Sequence, residues 1–434
     1  MSLAARGAAL PVVLTVPLLF AVEVVAGGPF GVYFGLPVRY ALFVASFATL
    51  LLMVLRRAAI HPRLLGPAAL LVGFVAVQTL WVTVVPAVAG TDLGFALLEF
   101  RPLLVLLLPA FAFVVCGGPE SLERALRWLQ TAVVWASLAL AAVQIAIWTA
   151  GTLAPQFQYL ITIFLGRAFP GAEAFLYVGP MPDGFFRVFW ISSTWLPVAY
   201  FWAPMVFRRS VARGVARAVL IAAVFVSYSR GIWLGLACGL ATASVASVAR
   251  GRVARELGRR AMAVAVGVAA LVPVLEAAGQ LDRAIDRFAS SAPQQVAQED
   301  ERVRQVAPLL RVWAHSPVVG AGYGAYAPDY VRVPETPYSY ENTPYALLAK
   351  LGTLGFVAFY GGLGSWGVLV WRRRFAASDE APAFLGALVS TLLASTTNPM
   401  LLNFVGVSIM AALLFEAGFV VAAPDRRGPL SAGA

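Results

Sequence analysis

Charge is scarce in this sequence. Only 12% of the 434 residues are charged, while 60% are hydrophobic. Soluble domains carry about 25% charged residues, so a water-soluble fold with a charged coat is excluded. Cysteine is nearly absent too. Cys116 and Cys238 stand far apart without metal-ligand spacing, so no disulfide and no zinc site is expected. Histidine occurs twice, at His61 and His315, and lysine once, at Lys350, so the remaining 31 basic residues are all arginine. Missing as well are a phosphate-cradling Gly-x-x-x-x-Gly-Lys loop, a His-Glu-x-x-His pair and a Gly-x-Ser-x-Gly elbow. An ATP-driven or zinc-dependent enzyme is therefore not expected, and neither is a cofactor.

What is present is long apolar runs. They recur with lengths of roughly 18–25 residues, enough to cross about 30 Å of hydrocarbon as helix. No run alternates over about ten residues, as barrel strands do. The pattern predicts an all-α polytopic membrane protein with about twelve transmembrane helices. The spans fall near 8–26, 38–55, 64–85, 93–115, 128–149, 190–207, 214–228, 231–249, 261–278, 344–371, 382–398 and 402–422. No signal-peptide cleavage pattern precedes the first, so it is expected to be retained.

The net charge of +11 does not point to nucleic acid, because the arginines cluster between apolar runs. With the N-terminus in the cytoplasm, 20 of the 32 basic residues lie on the cytoplasmic side and nine on the other. That is the bias that sets orientation in a membrane. Both termini are then cytoplasmic, with lipid surrounding the spans.

Two segments on the opposite, outer side are too long to be plain connectors within this single transmembrane domain, 1–434. The first, 150–189, is rich in Pro, Gly and aromatics, and its middle, 157–165, is apolar enough for an interfacial half-helix. The second, 279–343, is large and partly helical. It holds a surface helix from 281, another at about 299–314, and the turn Gly320-Ala321-Gly322-Tyr323-Gly324. Thr343-Pro344 reads as N-cap and first residue of the next span.

Candidate chemistry sits on that face. No Asp-x-Asp pair lies there to hold a metal-bound nucleotide sugar. Arginines do, at span ends: Arg187, and Arg230 within Ser227-Tyr228-Ser229-Arg230-Gly231, with Arg302 and Arg304 on the loop helix. Each alone also reads as a snorkelling or solvated residue. Together they suit the phosphate oxygens of a lipid diphosphate at that depth. Glu341 and Asn342, in Tyr338-Ser339-Tyr340-Glu341-Asn342-Thr343-Pro344-Tyr345, stand immediately before a membrane helix. Glu341 reads either as a helix-start charge or as a base accepting a hydroxyl proton. As a base it would face the acceptor while the arginines face the leaving group. Glu23, Glu99, Arg101, Lys350 and Glu416 fall within spans. Glu99 and Arg101 do not share a helix face, so each is expected to pair with another helix.

At these residues the chain resembles the bacterial O-antigen ligase and O-antigen polymerase superfamily. Phe186-Arg187-Val188 is similar to an Arg-led segment before a mid-chain helix, and 227–231 to a Ser-x-Ser-Arg-Gly signature. Arg302, thirteen residues before His315-Ser316-Pro317-Val318-Val319-Gly320-Ala321-Gly322-Tyr323-Gly324, resembles an Arg followed by His-Pro-Leu-x-Gly-x-Gly. Glu341-Asn342-Thr343-Pro344-Tyr345 and Leu351-Gly352-Thr353-Leu354-Gly355 resemble a His-Asn-x-x-Leu and Glu-x-Gly-Leu-x-Gly segment, with Glu341 where the family commonly has His. The resemblance implies a glycosyltransferase of the all-helical, type C-like membrane class that works without metal, in a bacterial inner membrane, with the loops 150–189 and 279–343 and the active site on the periplasmic face. The donor would be an undecaprenyl-diphosphate-linked glycan and the acceptor a glycan or lipid-linked molecule. Arg187, Arg230 and Arg302 would stabilise the departing diphosphate, Glu341 would act as base, and Arg304, Asn342, Tyr338, Tyr340 and Tyr345 would bind substrate.

A transporter or flippase of lipid-linked glycans is the alternative. It would carry repeat symmetry and paired broken helices with midplane charges. The shape-and-division peptidoglycan polymerases share the many-span, large-loop layout without a motif match here.

Overall fold

The computed structural model describes residues 16–25, 38–56, 62–116, 119–154, 163, 176–181, 184–248, 272–273, 275–277, 279–283, 285, 293–373, 380–396 and 400–422. The helices are α1 (Val16–Val25), α2 (Val38–Arg56), α3 (Pro62–Ala89), α4 (Leu93–Phe100), α5 (Leu107–Cys116) and α6 (Pro119–Leu153). A hairpin of β1 (Leu176–Pro180) and β2 (Phe186–Trp190) follows, then α7 (Trp195–Val206), α8 (Ser210–Val226) and α9 (Arg230–Val248). The chain ends through α10 (Pro293–His315), α11 (Thr343–Arg372), α12 (Glu380–Thr396) and α13 (Phe404–Ala422).

The chain is a multi-pass helical membrane protein. Among the described residues, six helical segments are long and apolar enough to cross a membrane: Val38–Leu55, Pro62–Ala89, Leu93–Cys116, Glu120–Leu153, Thr343–Arg373 and Phe404–Ala422. The spans expected at 190–207 and 214–228 are shorter helices, of 12 and 17 residues. The one expected at 261–278 lies mostly outside the described residues, as does the half-helix expected at 157–165.

The hairpin departs from the all-α expectation. Phe186–Trp190 looks in sequence like the start of an apolar span, yet it pairs antiparallel with Leu176–Pro180, placing Gly179 opposite Arg187. Ile191–Thr194 then forms a 3-10 turn, so α7 begins only at Trp195. The hairpin covers its own apolar cluster, which includes Trp148, Phe185, Phe186, Val188, Val226 and Tyr228.

Burial grades from centre to rim. α13 is the central helix, with 89% of its apolar window buried, whereas α2 buries 22% and presents the rest outward as a lipid-facing helix does. The tightest seam is between α9 and α12, where small residues let backbones approach. A Cβ on Gly235 would stand 2.5 Å from the Ser390 carbonyl oxygen, and one on Gly386 2.9 Å from the Gly239 carbonyl oxygen.

Two of the membrane helices are interrupted. Between α4 and α5 the chain tightens into a 3-10 turn over Arg101–Leu106, where Pro102 supplies no N–H to continue the α ladder. Within α11, Gly352 adopts φ 61° and ψ −175°, which splits the helix in two. The glycine turn after α10 fills that split. Ala321 and Gly322 donate their N–H groups to the carbonyls of Ala349 and Lys350 at 3.1 and 2.8 Å. Thr353 and Leu354 donate to the carbonyls of Pro317 and Val318 at 2.8 and 3.0 Å. Trp81 Nε1 reaches the Leu351 carbonyl at 3.0 Å. Backbone groups freed inside an apolar layer cost several kcal/mol each unless paired, so the turn is the partner that permits the break.

The ionisable residues within spans pair across helices, as anticipated. Glu99 meets Lys350 and Glu23 meets Arg39. Glu416 accepts from Trp202 Nε1 at 2.8 Å and from Gln130 Nε2 at 3.4 Å. Arg101 stacks over the Tyr40 ring at 5.0 Å.

Candidate functional site

The Ser227–Arg230 turn joins α8 to α9 with almost no loop. The Ser227 N–H closes the last turn of α8 on the Ala223 carbonyl, and Ile232 and Trp233 already donate to the Ser229 carbonyl at 3.1 and 3.0 Å. Tyr228 absorbs the reversal with φ 50°, a value uncommon for a non-glycine residue. Its ring is stacked on Phe185 at 3.9 Å with 6° between planes, and its hydroxyl donates to the Arg283 carbonyl at 3.3 Å. The strained residue is held from both ends, so Arg230 leaves a rigid turn as the first residue of α9.

Arg187 lies on that turn. From β2 its Nε donates to the Ser227 carbonyl at 2.9 Å, and its guanidinium stands over the Phe189 ring at 4.4 Å and the Tyr177 ring at 5.6 Å. One backbone carbonyl therefore links the strand carrying Arg187 to the turn carrying Arg230. A further arginine joins them: Arg283 Nη1 donates to the Gly184 carbonyl at 2.6 Å, and nearby Gln280 Oε1 accepts from the Phe186 N–H at 3.0 Å. In sequence Arg283 is one of the nine basic residues on the outer side, with nothing to set it apart. Its spacing from the hairpin, 99 residues, carries no signal of that contact.

The second grouping is built by α10 and the start of α11. Arg302 Nε donates to Glu341 Oε2 at 2.9 Å, and Arg332 Nη2 reaches Glu341 Oε1 at 2.6 Å. Gln305, one turn beyond Arg302, accepts the N–H groups of Glu341 and Asn342 on Oε1 at 3.0 and 3.3 Å. Asn342 Nδ2 donates to the Arg302 carbonyl at 2.6 Å. Asn342, not Thr343, is the residue that caps α11, one position earlier than the sequence suggested.

This arrangement alters the expected division of labour. Arg302 grips the carboxylate itself, and Arg332 grips its other oxygen. Glu341 is thus held between two guanidiniums with 22% of its side chain exposed. The trio keeps a net positive charge and an open side. Arg332 is the residue sequence reasoning missed.

The remaining candidates separate by exposure. Arg304 and Tyr345 face outward on α10 and α11, and Tyr338 is half-buried with its ring 5.5 Å from Phe95. Tyr340 departs from its expected role as an acceptor-binding aromatic. It is 1% exposed, its hydroxyl accepts from the Ala327 N–H at 2.7 Å, and its ring packs with Leu309, Ala346 and Ala349. Burial pushes its hydroxyl pKa up to about 12 despite the opposing Ala327 hydrogen bond. His315 ends α10 with Nδ1 2.7 Å from the Arg311 carbonyl, a helix-terminal contact. Among the described residues no three His, Cys, Asp or Glu side chains gather as a metal site.

The comparisons with known proteins address the second half of the chain. Residues 215–360 match a family model described as O-antigen ligase. The matched stretch contains Arg230, Arg302, Arg304, Arg332, Glu341 and Asn342, while Arg187 lies before it. No curated protein matches the chain.

Proposed function

Through residues 215–360 the chain is a member of the O-antigen ligase family, and from that premise we propose that it is a membrane glycosyltransferase acting at the periplasmic face. It takes a glycan from undecaprenyl diphosphate and transfers it to an acceptor hydroxyl, as a ligase or a repeat-unit polymerase. The observation that carries this reading is the Arg187 Nε to Ser227 carbonyl hydrogen bond, 2.9 Å, which brings a second arginine to the turn that presents Arg230.

Arg187 and Arg230 neutralise the diphosphate as it leaves. Planar guanidiniums match phosphate oxygens, and preorganised donors gain most where charge develops. The acceptor oxygen attacks the anomeric carbon. The new carbon–oxygen bond forms as the bond to the phosphate oxygen breaks, with inversion, and the diphosphate departs with the electron pair. Glu341 takes the hydroxyl proton. An ionised carboxylate offers about four lone-pair sites, and Arg302 and Arg332 fix its orientation while using two of them. Arg304 and Tyr345, exposed on α10 and α11, are the proposed acceptor-side contacts, with Asn342 and Tyr338 shaping the approach.

The transporter reading finds less support. The break in α11 has its freed backbone groups taken by the glycine turn and Trp81, so it is not an open half-helix end of the kind that holds a transported ion or carboxylate.

The test is reconstitution. Purified protein given an undecaprenyl-diphosphate glycan and acceptor, with EDTA present, should yield a transferred or lengthened glycan of inverted anomeric configuration. Glycan crossing the bilayer with its lipid diphosphate intact would sink the proposal, and loss of all transfer in EDTA would sink its metal-free step.

A further inference from the structure

Lys350 and Glu99 form an ion pair whose side chains are 1% and 3% exposed, beside the break in α11. Two well-packed apolar side chains would fill the same space without the desolvation cost of burying charges. What the pair does that apolar groups cannot is donate and accept in fixed directions. Lys350 Nζ donates to the Tyr338 carbonyl at 2.7 Å, three residues before Glu341. The second oxygen of Glu99 accepts from the Gly324 N–H at 2.7 Å. The two ends of the loop 324–338 are thereby tied to one buried pair. Inside the loop, the Tyr340 hydroxyl takes the Ala327 N–H at 2.7 Å, and the Lys350 ammonium stands 5.8 and 5.7 Å from the Tyr338 and Tyr340 ring centres.

The Glu341 backbone itself is held by Gln305 on α10, whose Oε1 accepts its N–H at 3.0 Å, and by the Thr343 N–H, which donates to its carbonyl at 3.0 Å. Lys350 sits nine residues further along α11, on its membrane side, and Glu99 belongs to α4, which the loop helix does not share. We propose that Lys350 and Glu99 are positioning residues for Glu341, registering the Tyr338–Asn342 segment against the membrane helices while Gln305 registers it against α10. The assignment rests on the reading of Glu341 as the base. The pair touches neither donor nor acceptor and acts through the Tyr338 carbonyl and the Gly324 amide.

The test combines hydrogen exchange with transfer kinetics on the full-length protein in lipid nanodiscs. Glu99→Gln and Lys350→Met should each raise amide exchange across 320–342 by about tenfold, with α9 and α12 unchanged. In the same variants kcat should fall by at least about tenfold while KM for the donor stays within about twofold. Lys350→Arg, which keeps a cationic donor, should recover part of kcat. The double variant Glu99→Leu/Lys350→Met guards against simple misfolding. It should regain parental thermal stability and remain slow, because the Tyr338 carbonyl still lacks its donor. Full recovery of kcat in that double variant would overturn the proposal, as would exchange in 320–342 unchanged from the parent or raised evenly over the whole molecule. Locally raised exchange with kcat untouched in every variant would overturn the positioning role, whereas parental kcat in Glu341→Gln would overturn Glu341 as the base and leave the anchoring in place.

Discussion

Arg302 and Glu341, 39 residues apart in sequence, meet through a 2.9 Å hydrogen bond from Nε to Oε2, and Arg332 closes on the other oxygen of the same carboxylate. A residue placed in the sequence as a diphosphate ligand is thus the direct partner of the residue placed as base. The pair is part-exposed, so its contribution to folding is expected to be small, below about 1 kcal/mol. Its contribution to transfer is expected to be large.

Arg302→Ala and Glu341→Gln should each slow transfer by about a hundredfold, and the double variant should be little worse than either alone. Steady-state kinetics on the three proteins decides this. Fully additive losses would mean that the two residues act independently.

Arg187→Ala should abolish detectable transfer, a loss of at least about a hundredfold, with folded protein still in the membrane. Arg187→Lys should recover little, because an ammonium lacks the planar fork that can bond the Ser227 carbonyl and a phosphate together. Parental activity in either variant would remove Arg187 from the site.

The Tyr340 hydroxyl, raised to about 12 by burial, makes stability depend on alkaline pH. The folded state keeps this proton where the unfolded chain, at the ordinary tyrosine value of 10.0, releases it. The stabilisation is complete below pH 10 and is lost as pH rises through the folded value. Subtracting the thermal stability of Tyr340→Phe from that of the parent at each pH should isolate this fall, and a flat difference would contradict it.

Gly352→Ala should lower thermal stability by several degrees, corresponding to about 2 kcal/mol or more. Its φ of 61° strains any side chain, and its Cβ would stand 2.5 Å from the Val318 carbonyl carbon. Detergent-solubilised melting curves of the two proteins test it, and an unchanged midpoint would show that the glycine turn yields easily.

Much of the bundle could be read from the sequence because hydrocarbon thickness forces apolar runs of one length. Pro62–Ala89 and Phe404–Ala422 differ from the predicted spans only at their ends. The hairpin could not be read, since Phe186–Trp190 is as apolar as the span it precedes and its pairing partner is outside any local window. At the candidate site, residue types in the motifs singled out Arg230, Arg302 and Glu341 for attention. Their partners were hidden for a different reason. Arg332 and Arg283 and the buried Gln305 of α10 are ordinary polar residues in sequence, and only the folded path brings each to its contact. Likewise Glu99 shows in sequence only that it cannot face Arg101. Lys350 is 251 residues away.

The seam between α9 and α12 bears on how this protein can change over generations. Gly235, Gly239 and Gly386 meet carbonyls at distances that leave no room for a methyl group. A bulkier residue on one helix finds nothing on the other that can be trimmed, so ordinary compensating exchange is closed. Arg230 begins the same helix, five residues and about 7.5 Å above Gly235. The placement of that guanidinium is therefore inherited from a contact that contains no functional group at all.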